Sequence, residues 1–140
     1  MRPIKILLIE DNEGDILLTT EALQDSKITN SVDVIKDGEA AIEYFSKPLL
    51  REELPDLILL DINLPKKSGH EVLIYLKNDT KLKLIPVIIL TTSSSEKDIK
   101  RSYANYANCF ITKPIDVSEF IHSIAKIEEF WFNIVTIAGL

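Results

Sequence analysis

LPDLILLDINLP, residues 54–65, sets four branched apolar residues, Leu57-Ile58-Leu59-Leu60, directly against a carboxylate at Asp61, with Asn63 and Pro65 just beyond. An apolar run of this length without polar alternation suits a strand buried on both faces, and such strands belong to parallel sheets flanked by helices. An acid at the tip of that strand sits where the chain leaves the core. Further runs of the same kind occupy Ile4 to Glu10, Val32 to Lys36, Pro86 to Thr91 and Cys109 to Thr112, the quoted stretch giving a strand from Asp56 to Asp61. Between them the pattern predicts helices over Gly14 to Ser26, Glu39 to Ser46, Gly69 to Lys77, Lys97 to Tyr106 and Val117 to about Phe132. Ser68-x-x-Glu71 and Asp116-x-x-Glu119 both fit a capping box at a helix start. The alternation implies an α/β fold: three layers, with a five-stranded parallel sheet between helices.

The 140 residues fit one domain, expected to span 1–140 with 128–140 as an apolar C-terminal extension. A chain of this size buries roughly 68–70% of its unfolded surface, so it needs no disulfide or structural metal. An apolar fraction of 46% places it among ordinary globular domains. Sixteen Lys and Arg stand against 22 Asp and Glu, a net charge of −6, which argues against a surface built to neutralise nucleic-acid phosphates. No apolar run approaches the roughly 20 residues that span a bilayer, and no leader pattern opens the chain, so a cytoplasmic location without membrane contact is expected. Lys47 to Pro55 is the one longish connection; no repeat or linker interrupts the alternation.

In an open parallel α/β sheet, ligands bind beyond the carboxyl ends of the strands. Those ends carry Glu10 and Asp11, then Asp61 and Asn63, then Thr91, Thr92 and Ser93, and finally Lys113 and Pro114. Singly, each has an ordinary use: a strand-terminal Asp or Asn12 as a turn former or cap, Thr91 as a β-branched strand residue, Lys113 as a solvated lysine. Together they make a site. Clustered carboxylates repel one another unless a cation sits among them, and a few carboxylates plus water and phosphate suit Mg2+. The lysine and hydroxyls supply the positive charge and donors that a transferred phosphoryl group requires.

The set Glu10-Asp11, Asp61, Thr91 and Lys113-Pro114, in this order on an alternating α/β chain, resembles the receiver domain of two-component response regulators, with a CheY-like architecture. The resemblance runs from Ile4 to about Ile127 and implies a flavodoxin-like sheet of strand order 2-1-3-4-5. LLIEDNEGD, DLILLDINLPKKSG, VIILTTSS and IEEFWFNIV are further similar to small stand-alone regulators that partner bacterial phytochromes. The family likeness implies that Asp61 accepts a phosphoryl group from a phosphohistidine on a sensor histidine kinase. It implies that Asp11 ligates Mg2+, aided by Glu10 and the backbone carbonyl of Asn63, and that Lys113 and Thr91 contact the acyl phosphate. Glu10 stands where many receivers carry Asp. The likeness also implies that Phe110 reports the switch from the last strand, where plain core packing is the other reading. Asn63 and Ser93 are expected to set the phosphoryl lifetime, and Pro114 to follow a cis bond. Such a protein catalyses only its own phosphorylation and dephosphorylation, and signals by protein contact to an unidentified downstream partner.

In the tail, Phe120, Ile124, Ile127, Trp131 and Ile134 fall on one helical stripe, of which Ile124 and Ile127 are expected to cover the sheet. Phe130, Trp131, Phe132 and Val135 are expected to form a partner surface, most simply that of a homodimer. His70 and His122 lack a companion at metal-binding spacing and are expected to be surface or cap residues. Cys109 is expected to be a small buried hydrophobe. A phosphatase of the haloacid-dehalogenase type also uses an Asp after a buried strand, but it wants a second acid where Asn63 stands. A flavodoxin would need a phosphate-binding loop where Glu10-Asp11-Asn12-Glu13 would repel one. A receiver-like interaction module that is never phosphorylated is the third alternative.

Overall fold

The computed structural model describes residues 3–24, 30–113 and 116–130. Five strands, β1 (Ile4–Ile9), β2 (Asn30–Ile35), β3 (Leu57–Leu60), β4 (Val87–Thr91) and β5 (Cys109–Thr112), form one parallel sheet in the order β2-β1-β3-β4-β5. Five helices alternate with them: α1 (Glu13–Gln24), α2 (Gly38–Ser46), α3 (Gly69–Asn78), α4 (Glu96–Ala104) and α5 (Val117–Glu129). The flavodoxin-like, CheY-like architecture expected from the residue pattern is therefore present, and each strand expected from the sequence has its counterpart. Two short 3-10 turns, Arg51–Glu53 and Leu82–Leu84, were not anticipated; the first divides the long link before β3.

Two apolar cores cover the sheet. Ile9, Ile58, Leu60 and Ile89 meet Ala41 and Phe45 of α2 and Val72, Leu73 and Leu76 of α3 on one face. On the other, Ile6, Leu8, Leu59, Ile88 and Leu90 meet Ala22 and Leu23 of α1 and Phe120, Ile124 and Ile127 of α5. Ile124 and Ile127 thus pack on the sheet as expected. The period-2 geometry of a strand sends successive Leu57–Leu60 side chains to opposite cores, which is why that run had to be apolar throughout.

Helix starts follow local chemistry. Ser68 and Glu71 form the anticipated reciprocal capping box on α3. Asp37, Ser95 and Asp116 cap α2, α4 and α5, and Asn12 Oδ1 accepts from the Asp15 N–H at the start of α1. Helix α4 differs from its neighbours, since its only buried residue is the polar Ser102. No helix among the described residues is long and apolar enough to cross a membrane.

Candidate functional site

The parallel topology brings three chemistry-bearing residues to one edge, and the backbone holds each one step beyond its strand. The Glu10 N–H donates to the Ile35 carbonyl at 3.0 Å, the Asp61 N–H to Ile9 at 3.0 Å, and the Lys113 N–H to Thr91 at 2.7 Å. Each residue therefore continues the ladder of a neighbouring strand while its side chain turns into the cleft. Asp61 is 7% exposed. Its Oδ1 accepts from the Asn63 N–H at 3.0 Å, closing a tight turn, and its Oδ2 lies 3.1 Å from Lys113 Nζ. Gly69 lets α3 begin against this turn: a Cβ there would overlap the Asp61 carbonyl oxygen and Ile62 Cα.

Lys113 is buried and also meets Glu10 and, at 2.8 Å, Asp15 Oδ2. Asp15 belongs to the first turn of α1 rather than to a strand end, and strand-end reasoning missed it. Glu10 Oε2 accepts from the N–H groups of Asp11 and Asn12. The cleft encloses about 430 Å³ and is lined by Glu10, Asp11, Asn12, Glu13, Asp15, Asp61, Asn63, Thr92 and Lys113. Thr91 is fully buried behind it, its Oγ1 receiving long hydrogen bonds from Asn63 Nδ2 at 3.5 Å and the Ser93 N–H at 3.4 Å.

Burial, then the hydrogen bond with Asp61, pushes the Glu10 carboxyl up to about 7, against the pull of Lys113. Burial acts on Asp61 in the same upward sense, but the hydrogen bond from Glu10, the Lys113 charge, the Asn63 N–H and the Thr91 hydroxyl outweigh it and hold that carboxyl below its usual range. Burial would depress Lys113; its hydrogen bonds to Asp15 and Glu10 and the surrounding negative charge raise it instead. Carboxylate oxygens of Glu10, Asp11 and Asp61 all lie within 4.8 Å of one another, a set of hard donors that fits a divalent cation.

Other expected positions fall elsewhere. Ser93 Oγ donates to Asp98 Oδ2 at 2.6 Å rather than lining the cleft. Phe110 is half-buried in β5 and packs on the α2–α3 core. Phe130 is 50% exposed, whereas Pro114, Trp131, Phe132, Ile134 and Val135 lie outside the described residues. His122 is exposed, as expected, and half-buried Cys109 has its thiol pushed up by burial. The expectation for His70 requires correction: it is 3% exposed, and its Nε2 lies 3.2 Å from Asp98 Oδ1. Asp98 comes from α4, so the contact depends on helix packing and no local spacing announces it.

The response regulator receiver domain family model matches residues 6–125. The chain is 41% identical over 137 residues to response regulator Rcp1 of Synechocystis sp., covering 96% of this chain and 93% of that protein. The crystal structure of the Mn2+-bound form of Rcp1 superposes with a TM-score of 0.87 at 40% identity, over 97% of this chain and 99% of that one. The crystal structure of the phosphorylated cyanobacterial phytochrome response regulator RcpA gives a TM-score of 0.90 at 44% identity, with 97% and 99% coverage. A probable methanogenesis regulatory protein, FilR2 of Methanothrix harundinacea, is 38% identical over 135 residues, 94% of this chain and 85% of that protein.

Proposed function

The chain belongs to the response regulator receiver family, and on that premise we propose that it is the phosphoacceptor of a two-component signalling system, taking a phosphoryl group from a sensor kinase phosphohistidine onto Asp61 in a Mg2+-dependent step. The observation that carries this reading is the setting of Asp61: one oxygen pinned by the Asn63 N–H, the other on Lys113, with Glu10 and Asp11 close enough to share a cation.

Glu10, Asp11 and Asp61, with the backbone carbonyl of Asn63, would hold Mg2+. When bound, the ion offsets the negative charge that would otherwise keep a carboxylate and a phosphoryl group apart. An Asp61 carboxylate oxygen attacks phosphorus, the new P–O bond forms as the P–N bond to the kinase histidine breaks, and the electron pair returns to the imidazole. Lys113 neutralises the phosphoryl oxygens, and the Thr91 hydroxyl donates to them. The Asp61 backbone hydrogen bond keeps the nucleophile in line. Asn63 and Ser93 set the lifetime of the acyl phosphate, and the protein's own hydrolysis of that bond resets it.

Phosphorylation adds a charge of about −1.5 to −2 at the strand edge. In this reading it alters a protein-binding surface of α4, β5 and α5, with Phe110 reporting the change and the 128–140 extension, including Phe130, Trp131, Phe132 and Val135, forming a homodimer contact. Exposed Tyr103, Ile121 and Phe130 on that side support the assignment. The similarity to Rcp1 and RcpA supports a phytochrome-like histidine kinase as the cytoplasmic partner. The rival reading, an interaction module that is never phosphorylated, leaves the buried lysine among three acids without a use.

Intact mass after incubation with Mg2+ and acetyl phosphate tests the proposal, with Asp61→Asn and EDTA controls. One phosphoryl adduct that needs both Asp61 and the metal is expected. An adduct retained in Asp61→Asn overturns the assignment of the acceptor, and no adduct in any condition favours the rival. Light scattering with and without a phosphoryl mimic tests the dimer; a monomer in both states sinks it.

A further inference from the structure

Three side chains outside the acidic cleft form a chain of hydrogen bonds across α3, the segment after β4, and α4. His70 Nε2 meets Asp98 Oδ1 at 3.2 Å, and Asp98 Oδ2 accepts from Ser93 Oγ at 2.6 Å. Ser93 is joined to the cleft in turn, because its N–H donates to Thr91 Oγ1 at 3.4 Å. Among the described residues His70 Nδ1 is buried with no partner. A hydrogen on Nδ1 would leave a buried donor unsatisfied and turn the Nε2 lone pair toward a carboxylate, so Nε2 carries the hydrogen and donates to Asp98. A half-satisfied imidazole in the interior costs stability that an aliphatic residue would not. Its one bond serves to hold Asp98.

What Asp98 holds is a weakly docked element. Helix α4 buries no apolar side chain, and elements with little buried apolar contact are those that open most readily. We infer that His70 and Asp98 are positioning residues for the switch at Asp61: they latch Ser93, and with it the segment between β4 and α4, in the unphosphorylated arrangement. This rests on the receiver reading above. For the Thr91 hydroxyl to swing onto a phosphoryl group on Asp61, its long bond from the Ser93 N–H must give way and the segment must follow. The short Ser93–Asp98 bond, braced by His70, is the contact that resists.

Breaking the latch therefore favours the phosphoryl-bound state. Beryllofluoride with Mg2+ is the probe, titrated into the full chain and its variants. His70→Leu and, from the other end, the less buried Ser93→Ala are expected to bind it about threefold to tenfold more tightly than wild type, the range set by the ordinary net contribution of one hydrogen bond in the resting state. His70→Gln, whose amide nitrogen can stand where Nε2 stands, is expected to return the affinity to the wild-type value. A merely architectural role would lower the unfolding midpoint and leave the affinity unchanged. Unchanged or weaker binding in both His70→Leu and Ser93→Ala overturns the latch while wild-type binding, lost in Asp61→Asn, still upholds the receiver. Absence of binding by the wild type removes both.

Discussion

Lys113 Nζ lies 2.8 Å from Asp15 Oδ2 and 3.1 Å from Asp61 Oδ2, so the lysine assigned to the acyl phosphate is shared between the acceptor and an acid on α1. Its third partner, Glu10, completes a ring of carboxylates around one cation. The division has a kinetic consequence. An incoming phosphoryl donor meets the negative charge of Asp15 as well as that of the acceptor, and finds part of the lysine's charge already engaged.

Asp15→Asn should accordingly label faster with acetyl phosphate, by about twofold to tenfold, since it removes one negative charge near the cleft and frees Lys113 for the phosphoryl oxygens. A time course of intact mass at fixed Mg2+ measures this. A slower rate would mean that Asp15 orients Lys113 productively rather than competing for it.

Glu10 makes stability depend on pH when metal is withheld. Its carboxyl is raised from 4.5 to about 7 in the folded chain. Below about pH 4.5 both folded and unfolded states keep the proton, and its contribution is fully present. As pH rises toward 7 the unfolded chain ionises first, so stability falls, and above about 7 both states are charged and the decline stops. The depressed Asp61 acts in the opposite sense but in a separate window, losing its contribution only as pH falls through the acid range below 3.8. In EDTA the unfolding free energy from urea titrations should therefore drop between about pH 5 and about pH 7.5, by on the order of 1–3 kcal/mol. Mg2+ should flatten the drop by taking the place of the proton, as should Glu10→Gln in EDTA. An EDTA profile that rises across this window would contradict the assignment.

Gly69→Ala places a methyl group on the Asp61 carbonyl and Ile62 backbone. Backbone cannot yield there without moving the acceptor, so a loss of roughly 2–5 kcal/mol is expected, together with slower labelling. Chemical denaturation and the mass assay read the two effects; a fully stable variant would show that α3 can slide along the turn.

Tyr106 closes α4 with φ of 67°, in the left-handed region that favours glycine, and its side chain is 75% exposed. The Ala107 N–H donates to the Ser102 carbonyl at 3.0 Å across this turn. Tyr106→Gly should relieve the conformation and raise stability by about 1 kcal/mol, measured as a shift of the urea midpoint at constant slope. A loss of stability would show that the exposed ring contributes more than its backbone costs.

The sheet, the helices and the residues Glu10, Asp11, Asp61, Thr91 and Lys113 were legible from the sequence, for one physical reason. A right-handed parallel βαβ repeat sends the carboxyl end of every strand to the same edge, so the residue just past each apolar run is placed before any packing is known. Asp15, His70 and Asp98 were not legible. Asp15 reaches a lysine 98 residues away, and His70 an acid 28 residues away. Such pairs depend on how far each helix is rotated and how closely it settles on the sheet, and helical period specifies which face is buried without specifying which neighbour that face will meet. His70 reads as a surface or cap residue because no companion stands at metal-binding spacing, and its acid partner is supplied by α4. Gly69 begins α3 as its pattern predicts, but the close approach of the Asp61 carbonyl to it comes from packing that no local pattern contains. Local pattern determined where the chemistry lies; the packing of α1, α3 and α4 decided what restrains it.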